Sequence, residues 1–288
     1  MSAYRFIAAE RANYPVALMC RVLGVSRSGF YAWRSRPPSR RELDDRALIE
    51  KIRQIHADSR RTYGAPRIWA ELRFEGYRLS RKRVARLMRA ARLQGLHQRR
   101  TWRSPRTPTR PSPPDRVRRR FVASAPNRIW VADITYVFTA QGWAFLAVVM
   151  DLHSRSIVGW ELAPHLLADL PLAALESAIT ARRPARGLIH HSDHGARYAS
   201  AVFAERLDRA GILPSMGALR SAYDNAVVES FFATLKRESA HRRRFHTRAE
   251  ARYGIGEWIQ FYNSRRRHSA LGYRSPHEFE RMTDLVPT

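Results

Sequence analysis

Residues 129–137 read Ile-Trp-Val-Ala-Asp-Ile-Thr-Tyr-Val, and the fold turns on this stretch. Apolar, β-branched and aromatic residues fill it almost without a break, as in a strand covered on both faces. Asp133 sits in its middle. A carboxylate inside such a run is costly unless it faces a ligand or a metal. Asp133 is therefore the first candidate for chemistry.

Downstream, Gln141-Gly142 makes a turn and residues 143–150 form an apolar run suited to a central strand. The chain turns over 151–155 and a third strand follows at 156–162. The pattern then predicts a helix over 168–180, a short strand at 187–191, a helix over 200–210, a short strand near Ile212 and a helix from about Asn225. Three consecutive strands followed by alternating helices and strands predict an α/β domain with a mixed sheet and flanking helices.

Two more carboxylates fall where such a domain builds a site. Asp193 directly follows the short strand, in His190-His191-Ser192-Asp193-His194-Gly195. The carboxyl ends of strands line the crevice of α/β sheets. Glu229 lies on the helix after Tyr223-Asp224-Asn225. At helical spacing Val227, Val228, Phe231, Phe232 and Leu235 share an apolar arc of about 140°. Glu229 and Lys236 fall opposite, within about 20° of each other. Carboxylate oxygens are the ligands Mg²⁺ prefers, two such ions serve phosphoryl transfer, and a nearby cation holds a phosphate. Taken singly, each acid reads better as a strand-end turn cap or a solvated helix residue. The three histidines 190, 191 and 194 suggest zinc less well, because neighbours on a strand point to opposite faces.

Upstream of residue 121 the character changes. Residues 1–120 hold 31 Lys/Arg and 9 Asp/Glu, so they carry 22 of the 27 net positive charges of the chain. That excess predicts a polyanionic partner held through phosphate contacts. Residues 14–35, YPVALMCRVLGVSRSGFYAWRS, predict helix, glycine turn, helix. Val16, Met19, Cys20 and Leu23 face inward, Ser26 caps the second helix, and Phe30 and Trp33 point into the core. Arg27 and Ser28 open that second helix, where helix-turn-helix units meet DNA. A plain helical hairpin fits the same pattern.

After Pro37-Pro38 a second helical unit begins, with Leu48, Ile52 and Ile55, then Ile68 and Leu72, then Val84, Leu87 and Met88 inward. The outer face of its last helix carries Arg81, Lys82, Arg83, Arg86 and Arg89. Residues 98–120 hold five prolines among arginines and predict an extended basic linker. The organisation expected is 1–40, 41–97, a linker at 98–122, and a catalytic domain with a helical extension at 123–284. The single cysteine excludes a disulfide framework. No apolar run approaches the roughly 20 residues of a membrane span. A cytoplasmic, nucleoid-associated protein without membrane contact is expected.

Three sequence words carry a resemblance: WVADITY around Asp133, HSDHGARYAS around Asp193, and YDNAVVESFFATLKRE around Glu229, with 35 residues between Asp193 and Glu229. Together they resemble the integrase-type core of bacterial insertion-sequence transposases, the Asp-Asp-Glu recombinases, and most closely the second-reading-frame product of the IS-three family. LMCRVLGVSRSGFYAW, YGAPRIWAELRFEGYRLSRKRVARLMRAARLQG and FYNSRRRHSALGYRSPHEF extend the likeness over nearly the whole chain. The resemblance implies an RNase H-like core and metal-dependent 3′-end cleavage and strand transfer. It implies that Asp133, Asp193 and Glu229 bind two Mg²⁺ or Mn²⁺ ions and that Lys236 grips a phosphate near the element's end. The partners implied are double-stranded DNA at terminal inverted repeats and at target, further copies of the chain, and the upstream-frame protein of the element. Arg220 and Asn225 border the site, and Arg267 and His268, with Tyr262 and Asn263, either contact DNA or pack against the core. Residues 216–222 depart from the polar, basic stretch usual in the family. The competing readings are a DNA-binding regulator or inactive relic, and a nuclease for RNA–DNA hybrids.

Overall fold

The computed structural model describes residues 2–96, 113–117, 121–193, 195, 197–217, 226–240 and 242–284. At its centre, β1 (Ile129–Thr139), β2 (Gly142–Asp151) and β3 (Ile157–Ala163) form an antiparallel meander, with a bulge between Val149 and Met150 where β2 meets β3. β4 (Ile189–Ser192) and β5 (Leu213–Met216) add parallel to the other edge of β1, giving the order β3-β2-β1-β4-β5. The mixed α/β domain expected from the sequence is present, with five strands.

The pleat of β1 sorts its side chains by parity. Trp130 and Ala132 face one way, into a core built with α7 (Asp169–Arg182) and α8 (Ala201–Arg209). Val131 and Val137 face the other way, into a core built with α9 (Ala226–Leu235) and α10 (Arg248–Ser264). The first half of β1 is thus covered on both sides, which is why residues 129–132 are apolar without a break, while Tyr136 and Phe138 near its end are exposed. Gly159 explains how closely α7 lies on β3: a Cβ there would stand 2.2 Å from the Ala174 carbonyl oxygen. The first turn after β2 is tied by Asp151, which is fully buried and accepts from the backbone N–H groups of Asn127, His153 and Ser154. Asp151 thus has a structural role in the turn, although burial raises the pKa of its carboxyl.

Ahead of the sheet lie two helical units. α1 (Ala3–Glu10), α2 (Val16–Val22) and α3 (Arg27–Ser35) enclose Ile7, Met19, Cys20 and Phe30. The turn between α2 and α3 uses Gly24 at φ +62°, and Ser26 caps α3 by accepting from the Gly29 N–H. Two details differ from expectation. The helix α1 was not anticipated, and Leu23 falls past the end of α2 and is 39% exposed rather than inward. The second unit comprises α4 (Arg40–Asp58), α5 (Ala65–Phe74) and α6 (Arg81–Ala90). Ser39 and Glu42 form a reciprocal capping box on α4, and Ser80 caps α6. Their core is Leu48, Ile52, Ile55, Ile68, Leu72, Val84, Leu87 and Met88, as the spacing predicts, with Tyr63.

The second unit docks on the end of α10. Arg267 donates to both carboxylate oxygens of Glu71 on α5 and to Glu278 on α11 (Pro276–Asp284). Its backbone N–H reaches the Tyr63 hydroxyl at 2.7 Å. At the end of the linker, Arg116 donates its backbone N–H to Ser215 on β5 and Val117 is buried. The basic, proline-rich stretch before it lies outside the described residues. Among the described residues no helix is long and apolar enough to cross a membrane.

Candidate active site

The parallel ladder between β1 and β4 pairs Val131 with His191. Asp133 lies two residues beyond Val131, and Asp193 lies two residues beyond His191. The two carboxylates therefore stem from equivalent positions just past the end of the β1–β4 ladder, Asp133 within β1 and Asp193 directly after β4. Asp133 has the parity of Val131, so it sits on the sheet face that α9 covers. Asp133 Oδ1 accepts from the Ile134 N–H at 2.7 Å, and Asp193 Oδ1 accepts from the Gly195 N–H at 3.1 Å.

Tyr198 lies within electrostatic reach of both acids. Its hydroxyl is buried with no hydrogen-bond partner among the described residues. Burial raises its pKa well above the ordinary phenol value, and the negative fields of Asp133 and Asp193 add to that rise. Two aspartates whose fields converge on one atom are the kind of arrangement a cation relieves.

Glu229 is exposed on the first turn of α9, while Val228, Phe231, Phe232 and Leu235 are buried against the sheet. Val227 is partly buried, packing against that core and lining a neighbouring groove. Among the described residues, no three His, Cys, Asp or Glu side chains stand close enough to hold a metal ion. Glu229 is thus on the helix that packs on β1, short of a closed cluster with the aspartates. The donor types fit a hard divalent cation, which takes carboxylate oxygens and keeps several waters.

α9 ends at Leu235, and Lys236 opens a π-helical turn, Lys236–Ala240. The extra residue of that turn shifts the positions after Lys236, while Glu229 to Leu235 keep regular α-helical spacing. The Lys236 ammonium rests over the Tyr136 ring at 4.1 Å from the centroid, three residues along β1 from Asp133. Such a contact contributes about 0.5–1 kcal/mol at an exposed site.

The histidines divide as strand alternation requires. His190 packs with Tyr198 and Phe203, and burial lowers its pKa to about 3. His191 faces away from it and meets the Ser215 hydroxyl at 2.9 Å. His194, Arg220 and Asn225 lie outside the described residues, as does most of the stretch 216–222.

The other candidates scatter. Arg27 and Ser28 are exposed at the start of α3, and Arg81 and Lys82 are exposed at the start of α6, Arg81 over the Trp69 ring. Arg83 is half-buried and clasps Asp45 with two donors, and Arg86 takes the other oxygen of Asp45. The outer face of α6 is therefore partly neutralised from α4, which the sequence spacing did not reveal. Arg267 joins the second helical unit to the core. Asn263 brackets the backbone N–H and carbonyl of Ile157, and Tyr262 is buried. His268 stacks edge-on against Tyr262, and its Nε2 is buried without a partner. The C-terminal signature thus packs against the core. Sequence reasoning missed Tyr136 and Tyr198, because only the register and the path after β4 bring them to the carboxylates.

Comparison with known proteins accords with this layout. Residues 42–101 match an HTH-like domain, and residues 123–222 and 210–276 match integrase core domains. The chain is 39% identical over 285 residues to the transposase InsF for insertion sequence IS3A of Escherichia coli (strain K12), covering 96% of this chain and 98% of that one. It is 40% identical over 264 residues to an uncharacterized 31 kDa protein of insertion element IS600 from Shigella sonnei, covering 91% and 97%. It also resembles the chain of a simian T-cell lymphotropic virus intasome, solved with a PP2A regulatory subunit (TM-score 0.51, 16% identity, 81% of this chain and 76% of that one). That likeness is one of fold. An RNase H-like integrase core behind an HTH-like unit defines a polynucleotidyl transferase that acts on DNA. The chain belongs to the IS3 family of transposases, which carry out DNA transposition.

Proposed function

We propose that Asp133, Asp193 and Glu229 are the catalytic carboxylates of this transposase and that they hold two divalent cations, Mg²⁺ or Mn²⁺. The observation that carries this reading is the equivalent placement of Asp133 and Asp193 on adjacent parallel strands, with both fields felt at Tyr198. Ions bound there would activate an attacking oxygen and stabilise a leaving one.

The protein's own groups supply the rest. β1 and β4 fix the two aspartates at the sheet's edge. Glu229, on α9, closes on them when DNA and metal are in place, since it does not complete a cluster beforehand. Lys236 turns from the Tyr136 ring to a phosphate oxygen next to the scissile bond. Arg27 and Ser28 at α3, and Arg81 and Lys82 at α6, hold the terminal inverted repeats through phosphates and base edges. Water attacks at the 3′ end of the element, and the freed 3′-hydroxyl then attacks a target phosphodiester. Copies of the chain pair the two ends, and the upstream-frame protein joins them.

The test uses the full chain, a duplex carrying the element's end, and Mg²⁺ or Mn²⁺. Nicked 3′ ends followed by joined products support the reading. Tight binding with no cleavage in either metal supports instead a DNA-binding regulator or relic.

A further inference from the structure

The β1–β2 hairpin carries an aromatic patch that the carboxylate chemistry does not use. Tyr136, Phe138 and Trp143 are 51%, 64% and 50% exposed. Phe138 and Trp143 are direct cross-strand partners. Trp143 meets both other rings edge-on, with centroids 5.1 Å from Tyr136 and 5.2 Å from Phe138. From α10, Arg248 donates to the carbonyl oxygens of Gln141 and Trp143, so the turn is braced. Three adjacent exposed rings on a braced hairpin mark a contact surface rather than scattered apolar residues.

The rings border a groove of about 500 Å³ whose other lining includes Lys236, Arg243, Arg244 and His246. No Asp or Glu lines it among the described residues. Arg243 shares its charge with Glu257 at 3.4 Å. An apolar partner would leave those cations desolvated, and a bare phosphate would leave the rings in water. A nucleotide satisfies both, with its base on a ring face and its phosphate on the cations. A base inside a duplex has both faces covered by its neighbours, whereas an unpaired nucleotide can lay its base on a ring and bring its own phosphate to the cations.

We propose that this hairpin binds an unpaired nucleotide of the DNA substrate, its base stacked on Trp143 or Phe138 and its phosphate held by Arg244. The proposal rests on the DNA-processing reading above. Tyr136 is three residues, about 10 Å of strand, beyond Asp133, with its ring on the opposite sheet face, and Lys236, which comes from the α9 side and lines the groove, reaches that ring. A DNA strand held at the carboxylates reaches the hairpin where it follows β1 and Lys236 to that face.

Direct binding tests it, with the full chain and no metal. The probes are a blunt duplex and the same duplex with a short thymidine overhang carrying 2-aminopurine. The wild type is expected to bind the overhang probe more tightly and to quench 2-aminopurine emission. Trp143→Ala and Phe138→Ala each lose about tenfold in affinity for the overhang probe and keep their affinity for the blunt one. Trp143→Phe, which keeps a ring for both folding and stacking, retains most of the preference. Equal wild-type affinity for the two probes overturns the proposal while leaving the DNA reading intact. Binding to neither probe overturns both. A drop in sedimentation coefficient with Trp143→Ala, with the overhang preference unchanged, assigns the rings to contact between copies of the chain and overturns the proposal.

Discussion

Asp133 and Asp193 stand at equivalent positions of two adjacent parallel strands, each two residues past the paired Val131 and His191. Strand pairing alone brings them together, although they are distant in sequence. Their like charges weigh against the folded state until a cation arrives, and cation binding to the native state stabilises it by mass action. Millimolar Mn²⁺ is therefore expected to raise the melting temperature of the wild type, read by differential scanning fluorimetry. Asp133→Asn and Asp193→Asn should abolish that rise while melting at least as high as the wild type without metal.

Arg266 and Glu238 form a two-donor ion pair, with side chains only 5% and 3% exposed. Removing one partner of a buried pair leaves an uncompensated charge and costs about 3–5 kcal/mol. Glu238→Ala should reach that range in urea unfolding, because it leaves Arg266 near the guanidinium of Arg67. A loss below about 1 kcal/mol would show the pair to be solvated.

Salt dependence separates the exposed cations from the engaged ones. Each phosphate contact adds about one to the slope of log affinity against log salt. Lys82→Ala should lower that slope by about 1 with a duplex probe. Arg267→Ala should leave the slope alone and instead lower stability, since its donors go to Glu71 and Glu278.

His268 gives the protein an acid sensitivity. Burial, then the guanidinium groups of Arg266, Arg67 and Arg155, lower its pKa well below 6.5, against a small opposite effect from the Tyr262 carbonyl. The folded state keeps the ring neutral, while the unfolded chain takes up a proton below about pH 6.5. The unfolded state then binds more protons, so stability falls as pH falls below that point, by up to about 1.4 kcal/mol per pH unit. His190, whose pKa burial lowers to about 3, adds to the decline in the same way. Urea titrations between pH 7 and pH 5 should show this decline, and His268→Gln should reduce it by about half.

β1 was legible from sequence because its first half is covered on both faces and its residues are apolar, β-branched or aromatic, with Asp133 the one charged residue among them. The helices α4 to α6 were legible because their inward residues keep strict helical spacing and Ser80 announces a cap. α1 was not, since it buries one residue fully, Ile7, and so has almost no pattern. The π turn at Lys236 was hidden because sequence periodicity presumes a regular helix. Arg83 and Arg267 look like any other arginine until their partners Asp45 and Glu71 are brought near by packing. The aspartates at strand ends were readable as candidates, but their shared field at Tyr198 required the path of the chain after β4.

The central claim is that three carboxylates act as one unit in DNA cleavage and joining. The most direct measurement is strand transfer in Mg²⁺ and in Mn²⁺ by Asp133→Asn, Asp193→Asn and Glu229→Gln, each first shown to bind the end duplex as the wild type does. The account predicts that every one of the three loses strand transfer by about a thousandfold or more. Wild-type joining by any one of them, in either metal, would contradict it.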